Sequence, residues 1–390
     1  MTPAARHQAA IEILERILAG TAAEQALTAW ARASRFAGSK DRAAIRDLVF
    51  EALRCKRSFA HLGGAETGRG LILGGLRAVG RAPAEIFTGT GHAPAPLTTQ
   101  EAHYHPPPMP ELVALDCPDW LAPALKTSLG DAFAPVMAAL RTRAPVFLRV
   151  NTARITRAAA QDALQAEGIP TRPHHLAPTA LEAVENARAV QRSAAYRDGL
   201  VELQDAASQA VIAALPIHEG MRVLDYCAGG GGKSLALAAR GADVTAHDAN
   251  PRRTRDLPGR AARAGAAITL TEKPAGKFDM VLTDVPCSGS GSWRRDPDGK
   301  WRLTPEKLSE LTRIQARILQ DARAFLHPGG YLAYVTCSLL DQENSAQIQR
   351  HLAQPDGRSL LQDLRLTPQD GGDGFYLALL GPDPAQPAPA

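Results

Sequence analysis

The sequence predicts an α/β protein whose largest domain is doubly wound, preceded by a small α+β domain and an all-α N-terminal domain. From Met221 onward, short apolar runs alternate with helical patterns, as in a parallel sheet covered on both faces. A proline-rich segment, typical of a linker, separates the N-terminal helices from the rest. The predicted divisions are residues 1–90 (all-α), 91–110 (linker), 111–205 (small α+β), 206–380 (doubly wound) and 381–390 (disordered tail).

The N-terminal domain is predicted from apolar residues spaced three and four apart. Ile11, Leu14 and Ile17 fall on one face of a first helix, and a second helix with Ile45 on its apolar face follows Asp41, a candidate cap. In the next domain, VFLRVNT has the pattern of a strand, and RAAAQDALQAEG that of a helix. These patterns predict secondary structure without indicating an activity.

The amino-acid composition favours a globular protein over a membrane-spanning or disulfide-rich one. Of the 390 residues, 45% are hydrophobic and 22% are charged, which is typical of a globular chain with a buried core. No segment approaches the roughly 18 consecutive apolar residues of a membrane span, and we expect a cytoplasmic monomer with no membrane partner. The five cysteines form no C-x-x-C pair, which argues against a disulfide framework and a structural metal site: Cys55, Cys117, Cys227, Cys287 and Cys337.

Basic residues are concentrated in two segments, although the formal net charge is only +4. Residues 1–60 hold ten Lys and Arg against six Asp and Glu. The segment GSWRRDPDGKWR interleaves four cations with two tryptophans, a pattern that suits a nucleic-acid strand but also a charged surface loop. The four cations are Arg294, Arg295, Lys300 and Arg302.

A glycine-rich turn predicts a ligand site. In MRVLDYCAGGGGKSLALAAR, a strand leads through Gly229–Gly232 into a helix, where a ligand's polar end can lie. Asp248 ends the next strand, about 20 residues on, and can accept hydrogen bonds from ribose hydroxyls; capping a helix is the alternative. A G-x-G-x-x-G motif fails at Ser234 and a phosphate loop fails at Cys227, which weakens nicotinamide and ATP as ligands.

Two further strands deliver reactive side chains at their carboxyl ends, where open α/β sheets bind ligands. KFDMVLTDVPCSGSG places Asp284 and Cys287 there, and GGYLAYVTCSLLDQEN places Cys337 there. A single cysteine is more often a small buried hydrophobe, and Asp284 alone could cap a turn. Two cysteines after two strands of one sheet favour a shared chemical role.

The strings CAGGGGK, DVPCSGSGSWRRDPDGKW and VTCSLLDQEN resemble motifs of the RsmB-like (Sun) family of S-adenosylmethionine-dependent RNA cytosine-5 methyltransferases, of the bacterial 16S rRNA methyltransferase B type. The resemblance covers roughly residues 145–380, including FLRVNT and LVELQDAASQ. The helical N-terminus, with KDRAAIRDLVFEALR, is similar to a NusB-like RNA-binding domain. The resemblance implies a Rossmann-like class I methyltransferase domain, S-adenosylmethionine as cofactor and RNA as partner, with rRNA preferred.

The resemblance also implies roles for individual residues. Carbon 5 of cytosine is a poor nucleophile, so a thiolate first adds at carbon 6. Cys337 is assigned this attack, Cys287 the release of product, and Asp284 a hydrogen bond to the ring nitrogen. The implied cofactor site contains Cys227, Ala228, Gly229, Gly230, Gly231, Gly232, Lys233, Asp248, Arg253 and Asp284. The implied RNA contacts are Arg149, Asn151, Arg294, Arg295, Lys300 and Arg302.

Two departures from the family pattern leave alternatives open. Gly229 and Gly230 replace an alanine and a proline of C-A-A-P-G-G-K, which gives the turn more freedom to lose on folding and predicts weaker cofactor binding. The acidic residue expected near the adenine has only Glu272 as a candidate. The alternatives are a tRNA cytosine-5 methyltransferase and a catalytically weakened RNA-binding ribosome assembly factor; DVPC opposes an amino-group methyltransferase.

Overall fold

The structure, a computed structural model, describes residues 1–354 and 358–382 and divides into two units. One unit consists of residues 1–143 and the separate segment Trp293–Arg302. The other contains Ala144–Ser292 and the described residues from Leu303 onward. Within the described ranges, no helix is both long enough and apolar enough to cross a membrane.

Helices account for most of the first unit and flank the sheets of the second. The first nine are α1 (Pro3–Leu18), α2 (Ala23–Ala33), α3 (Ser39–Arg54), α4 (Lys56–Gly63), α5 (Gly68–Ala78), α6 (Thr99–Ala102), α7 (Glu111–Ala114), α8 (Ala122–Leu129) and α9 (Phe133–Leu140). The others in the described residues are α10 (Arg157–Ala166), α11 (Ala194–Arg197), α12 (Ala206–Ala213), α13 (Gly232–Ala238), α14 (Leu257–Ala264), α15 (Pro297–Arg302), α16 (Pro305–Ala322) and α17 (Ser345–Leu352).

The first unit is built on the apolar stripe that the sequence predicts. Ile11, Leu14 and Ile17 of α1 are buried against α3, whose Ile45 is fully buried. The predicted cap is wrong: α3 begins at Ser39, so Asp41 lies in its first turn, where it accepts a 2.8 Å bond from Arg6. These helices stay together because each apolar stripe is covered by another.

The contacts divide the chain differently from the predicted domain boundaries. Helices α7–α9, which lie within or next to the start of the predicted small α+β domain, belong to the first unit, whose continuous part extends to Arg143. The predicted linker, residues 91–110, contains α6, whose Thr98 and Glu101 form a capping box. Of the predicted tail, Gly381 and Pro382 belong to a strand, and residues 383–390 lie outside the described part.

The second unit contains two sheets. The small sheet has β1 (Val146–Val150), β2 (Thr171–Pro173), β3 (Ala180–Ala183) and β4 (Val201–Leu203), in the antiparallel order β2-β3-β1-β4. The large sheet has β5 (Arg222–Asp225), β6 (Asp243–Ala246), β7 (Ile268–Leu270), β8 (Phe278–Asp284), β9 (Leu326–Thr336), β10 (Arg358–Leu366) and β11 (Phe375–Pro382). The predicted strand at VFLRVNT and the helix after it are confirmed as β1 and α10.

The large sheet is the predicted doubly wound, Rossmann-like sheet. Its order is β10-β11-β9-β8-β5-β6-β7, and strands β5 to β9 run parallel while β11 is antiparallel to both neighbours. Alternate residues enter separate cores: Val223 packs with α12 and α13, and Leu224 packs with α16 and α17. Because both faces are covered, the strands are nearly continuous apolar runs.

The segment Trp293–Arg302 belongs to the first unit rather than to an exposed RNA-binding loop. Lys300 is 1% exposed, and its ammonium group donates hydrogen bonds to the carbonyls of Arg54 (3.2 Å) and Asp116 (2.9 Å). Burial lowers the pKa of Lys300 to about 8. Arg294 is 4% exposed. The expectation that Lys300 and Arg294 hold an RNA backbone is therefore wrong, because neither side chain reaches the surface.

We predict that Lys300→Ala destabilises the protein by about 2–4 kcal/mol, because it leaves a cavity and two carbonyls without a donor. Arg302→Ala is the matched control: its side chain is 53% exposed and, among the described residues, forms an ion pair with Asp298 alone, so the expected cost is below about 0.5 kcal/mol. Urea unfolding of both variants measures the difference. Equal stability of the two variants would contradict a structural role for Lys300.

Candidate active site at the carboxyl ends of the parallel strands

The pairing of β8 with β9 brings the two predicted cysteines together. Asp284 pairs with Val335 at the ends of these strands, and the chain reaches Cys287 and Cys337 just beyond. Their Sγ atoms lie 3.4 Å apart, both residues are partly exposed, and both thiols are free. One substrate atom can therefore contact both sulfur atoms.

The two thiols have different tendencies to ionise. A hydrogen bond from the Cys287 thiol lowers the pKa of Cys337, and the nearby Lys233 ammonium acts in the same direction. The same hydrogen bond, together with burial, raises the pKa of Cys287 well above its ordinary value. The thiolate, which is the nucleophilic form, is thus favoured at Cys337 and the protonated thiol at Cys287.

An ion pair between a buried lysine and a partly exposed aspartate lies beside the thiols. Lys233, in the first turn of α13, is 8% exposed and its Nζ donates a 2.7 Å hydrogen bond to Asp284 Oδ2. Burial by itself lowers the pKa of Lys233, but the Asp284 carboxylate outweighs this effect and raises that pKa above its ordinary value. The pair fixes Asp284 next to the paired sulfur atoms and keeps the lysine charged.

The glycine-rich turn after β5 is held by Asp248. Gly229 has φ +51° and its N–H donates to Asp248 Oδ2 at 3.0 Å; Gly231 has φ +79°. Arg253 lies 3.2 Å from the same oxygen, and the N–H of Asn250 donates to Oδ1. The φ of Gly231 favours glycine, and a Cβ at Gly231 would also lie 2.1 Å from Leu257 Cδ1, so a larger residue there would be strained. Asp248 thus braces the turn that the sequence assigns to the cofactor.

The other residues of the implied cofactor site line the same turn. Cys227 and Ala228 are buried, and the N–H of Ala228 donates to the carbonyl of His247 at the end of β6. Burial strongly raises the pKa of Cys227, which therefore stays a thiol. Gly230 and Gly232 complete the turn into α13. The structure brings all these residues together at one edge of the sheet, next to Asp284.

Asp225 belongs to the site and was missed in the sequence. It ends β5, is fully buried, and accepts a 2.6 Å hydrogen bond from Ser234 on Oδ2, while Oδ1 has no partner among the described residues. Burial raises its pKa to about 7. An orphaned acceptor beside a glycine turn fits a site that receives donors from a polar cofactor. The sequence feature that could have revealed Asp225 is the position of an acidic residue at the end of an otherwise apolar strand.

A cavity of about 500 Å³ opens beside the turn. It is lined by Asp248 after β6 and by Leu270, Thr271 and Glu272 at the end of β7. Glu272, the sequence's candidate for the adenine side, therefore shares a cavity with Asp248.

Two of the expected RNA contacts in the small sheet are wrong. Arg149 is 4% exposed and donates to the carbonyl of Leu235, and burial lowers its pKa to about 10. Asn151 is 6% exposed, and its Nδ2 donates to the carbonyls of Gly199 and Ala264. Both side chains hold the second unit together. Among the six expected contacts, Arg295 and Arg302 are exposed.

Comparison with known proteins agrees with this geometry. The family described as "16S rRNA methyltransferase RsmB/F" matches residues 212–381, and a "Methyltr_RsmF/B-like, ferredoxin-like domain" matches residues 117–191. Ribosomal RNA small subunit methyltransferase B of Salmonella arizonae is 34% identical over 282 residues, 67% of this chain and 66% of that protein. This chain thus spans just under two thirds of that relative's length.

Two solved structures share the fold. The crystal structure of PH0851 superposes with a TM-score of 0.78 at 21% identity, covering 98% of this chain and 99% of that one. A methyltransferase homologue from Pyrococcus horikoshii gives 0.62 at 24% identity, covering 70% and 97%. The fold is that of a Rossmann-like methyltransferase. The chain belongs to the RsmB-like (Sun) family, whose cofactor is S-adenosylmethionine.

We predict that Asp225→Asn gains stability relative to the wild type as the pH rises from about 4 to about 7. The pKa of Asp225 is raised by burial from 3.8 to about 7, so the folded protein binds a proton that the unfolded chain has lost, and wild-type stability falls over this window. The variant lacks this titration. Urea unfolding at several pH values measures the difference, and a constant difference would contradict the assignment.

Proposed function

We propose that the protein transfers a methyl group to carbon 5 of a cytosine in RNA through a covalent cysteine–cytosine adduct. The observation that carries this proposal is the pair of free thiols, 3.4 Å apart and of opposite ionisation tendency, beside Asp284. A methyltransferase acting on a nitrogen or an oxygen has no need of two thiols. The position of both thiols after parallel strands, at the edge that carries the cofactor turn, supports a joint role.

The reaction begins at Cys337. Its thiolate donates an electron pair to carbon 6 of the cytosine, forming a C–S bond as the double bond between carbons 5 and 6 opens. Ring nitrogen 3 takes a proton from solvent, and the Asp284 carboxylate accepts a hydrogen bond from the resulting N–H. Carbon 5 then carries the electron density that a bare cytosine lacks. S-adenosylmethionine, when bound, supplies an electrophilic methyl group on a sulfonium.

Release of the product requires a second group. Once carbon 5 is methylated, its proton must leave; the electrons of that C–H bond restore the ring double bond, and the C–S bond breaks with its electrons returning to Cys337. Cys287, in contact with Cys337, is the side chain we assign to this release. After the attack it gives its own proton to solvent and, as the thiolate, accepts the proton from carbon 5, while nitrogen 3 returns its proton to solvent. Since Cys287 is held protonated while Cys337 attacks, the two sulfur atoms do not compete for carbon 6.

The cofactor would be held by the turn and by the cavity. Asp248, already fixed by the N–H of Gly229, presents carboxylate oxygens to the ribose hydroxyls, and the orphaned Oδ1 of Asp225 takes a further donor. The cavity between Asp248 and Glu272 would take the adenine. Lys233 stays paired with Asp284 and orients that acid toward the cytosine.

We infer that the RNA is small-subunit rRNA, since the relative from Salmonella arizonae bears that name. A tRNA substrate is the alternative. An assembly factor without catalysis is less well supported, because Cys287, Cys337 and Asp284 are all in place. The target cytosine must be unstacked for its ring to reach the two thiols.

Label from S-adenosylmethionine incubated with bulk RNA and the protein should appear in 5-methylcytidine after digestion to nucleosides. Label in methyladenosine would instead indicate an amino-group methyltransferase, and no label would favour the assembly factor. Separate incubations with 16S rRNA and tRNA distinguish the two RNA classes.

In the same incubation, Cys287→Ala should accumulate a protein–RNA adduct that migrates slowly on a denaturing gel, because the product cannot leave Cys337. Cys337→Ala should form no adduct and no 5-methylcytidine. Cys117→Ala is the control, since Cys117 is fully buried in the other unit. An adduct in Cys337→Ala and none in Cys287→Ala would reverse the two roles.

The loop between α2 and α3 is the surface that we propose contacts the RNA. Phe36 is 76% exposed, and exposed cations surround it in the sequence: Arg32, Arg35, Lys40 and Arg42. No described acidic side chain forms an ion pair with any of the four. An exposed aromatic ring offers a base a stacking surface, and unpaired cations nearby attract the phosphates.

Phe36→Ala should weaken RNA binding by about tenfold, since stacking of one base on an aromatic ring contributes roughly 1–3 kcal/mol. Trp120→Ala is the matched control: this ring is 40% exposed in the same unit but follows an acidic residue, Asp119. Filter binding or fluorescence anisotropy at fixed salt gives both affinities. An equal loss in the two variants, or none in either, would argue against this surface.

A further inference from the structure

Glu343 is a fully buried carboxylate that joins the two cysteine loops. Its oxygens accept four hydrogen bonds: from Ser288 N (2.8 Å), Ser288 Oγ (2.5 Å), Ser338 Oγ (2.5 Å) and Gln315 Nε2 (2.9 Å). Ser288 directly follows Cys287, and Ser338 directly follows Cys337. One carboxylate therefore holds the residue after each thiol.

The residues before the two cysteines are held by neighbours of Glu343. Gln315, which donates to Glu343, also donates from Nε2 to the carbonyl of Pro286 at 3.0 Å. Asn344, the next residue in the chain, accepts a 2.6 Å bond from Thr336 Oγ1 and donates to the carbonyl of Ser338 at 2.8 Å. The residues on both sides of each cysteine are therefore hydrogen-bonded to Glu343 or to one of its neighbours, Gln315 and Asn344.

The hydrogen bonds to the Glu343 carboxylate come from uncharged groups. Every donor to the carboxylate of Glu343 named above is neutral, and no described lysine, arginine or histidine forms an ion pair with it. Burying a carboxylate without a cation is costly unless its hydrogen bonds are fully made. A glutamine has one acceptor oxygen instead of two and would receive fewer of these donors. The four-donor arrangement therefore requires the acid.

We propose that Glu343 is a positioning residue that fixes the Cys287 and Cys337 loops at the separation where their thiols meet. The catalytic value of that separation rests on the proposed function. Glu343 contacts neither sulfur atom through a hydrogen bond; it acts through Ser288 and Ser338. Its negative charge also contributes to raising the pKa of Cys287, after the effects of Cys337 and of burial.

The first test uses the free, full-length protein and needs no RNA. Diamide oxidises two adjacent thiols to a disulfide and is itself reduced to the hydrazine. Mass spectrometry follows formation of the Cys287–Cys337 disulfide below the unfolding midpoint of each variant. We expect Glu343→Ala to slow this step at least about tenfold, because the effective concentration of one thiol near the other falls. Glu343→Gln should give an intermediate rate.

Two further variants keep the test decisive if Glu343→Ala does not fold. Ser288→Ala removes one of the four bonds and should slow the disulfide step less, in the same direction. Glu310→Gln, on the exposed face of α16, is the control and should match the wild type. If folded Glu343→Ala or Ser288→Ala forms the disulfide at the wild-type rate, Glu343 is merely structural and the proposal is wrong.

The second test is methyl transfer. A misplacement of about 1 Å can cost about 100-fold, so kcat of Glu343→Ala should fall by that order while KM for RNA stays within about twofold. Glu343→Gln should recover part of kcat. A rise in KM with unchanged kcat would contradict positioning. If the wild type transfers no methyl group to RNA, the proposed function is wrong, whereas the disulfide rates still decide the role of Glu343.

Discussion

The pairing of β8 with β9 is the constraint on which the site depends. In this register Asp284 is paired with Val335. The N–H of Val285 donates a hydrogen bond to the carbonyl of Val335, which extends the pairing by one residue. Since parallel strands end at the same edge, the two chains leave the sheet side by side and their cysteines follow within a few residues. A slip of one residue would turn Asp284 to the other face of the sheet and separate it from the thiols.

Burial of charge shapes the chemistry around this pairing. Lys233 and Asp284 neutralise one another, Asp225 is driven toward its protonated form, and Glu343 is held by neutral donors. Each of these groups costs free energy to desolvate, and none is needed to fill a hydrophobic core. Three acids and one lysine thus meet at one edge of the large sheet, beside the two thiols, and such a concentration of charged groups is typical of a functional site.

The sequence revealed the parts of the site that lie at strand ends, because strand, turn and thiol are consecutive there. Glu343 was hidden, since its partners lie up to 55 residues away and an acid in a loop usually faces water. The prediction that Lys300 contacts RNA was wrong for the same reason: the carbonyls that accept its hydrogen bonds lie 246 and 184 residues away in the sequence. The spacing of apolar residues along the chain predicts which face of a helix or strand is buried. It does not reveal the hydrogen-bond partner, distant in sequence, that stabilises a buried charged group.

The glycine turn shows how a departure from the family pattern can be compensated. Glycine at positions 229 and 230 raises the freedom of the unfolded chain. In the folded protein, Arg260 donates to the carbonyl of Gly230 and is itself fixed by Glu202 at 2.9 Å. A Cβ at Gly230 would lie 3.1 Å from Nη1 of Arg260 and crowd this contact. The absent side chain leaves room for this contact, and Arg260, held by Glu202, restrains the turn in the folded protein.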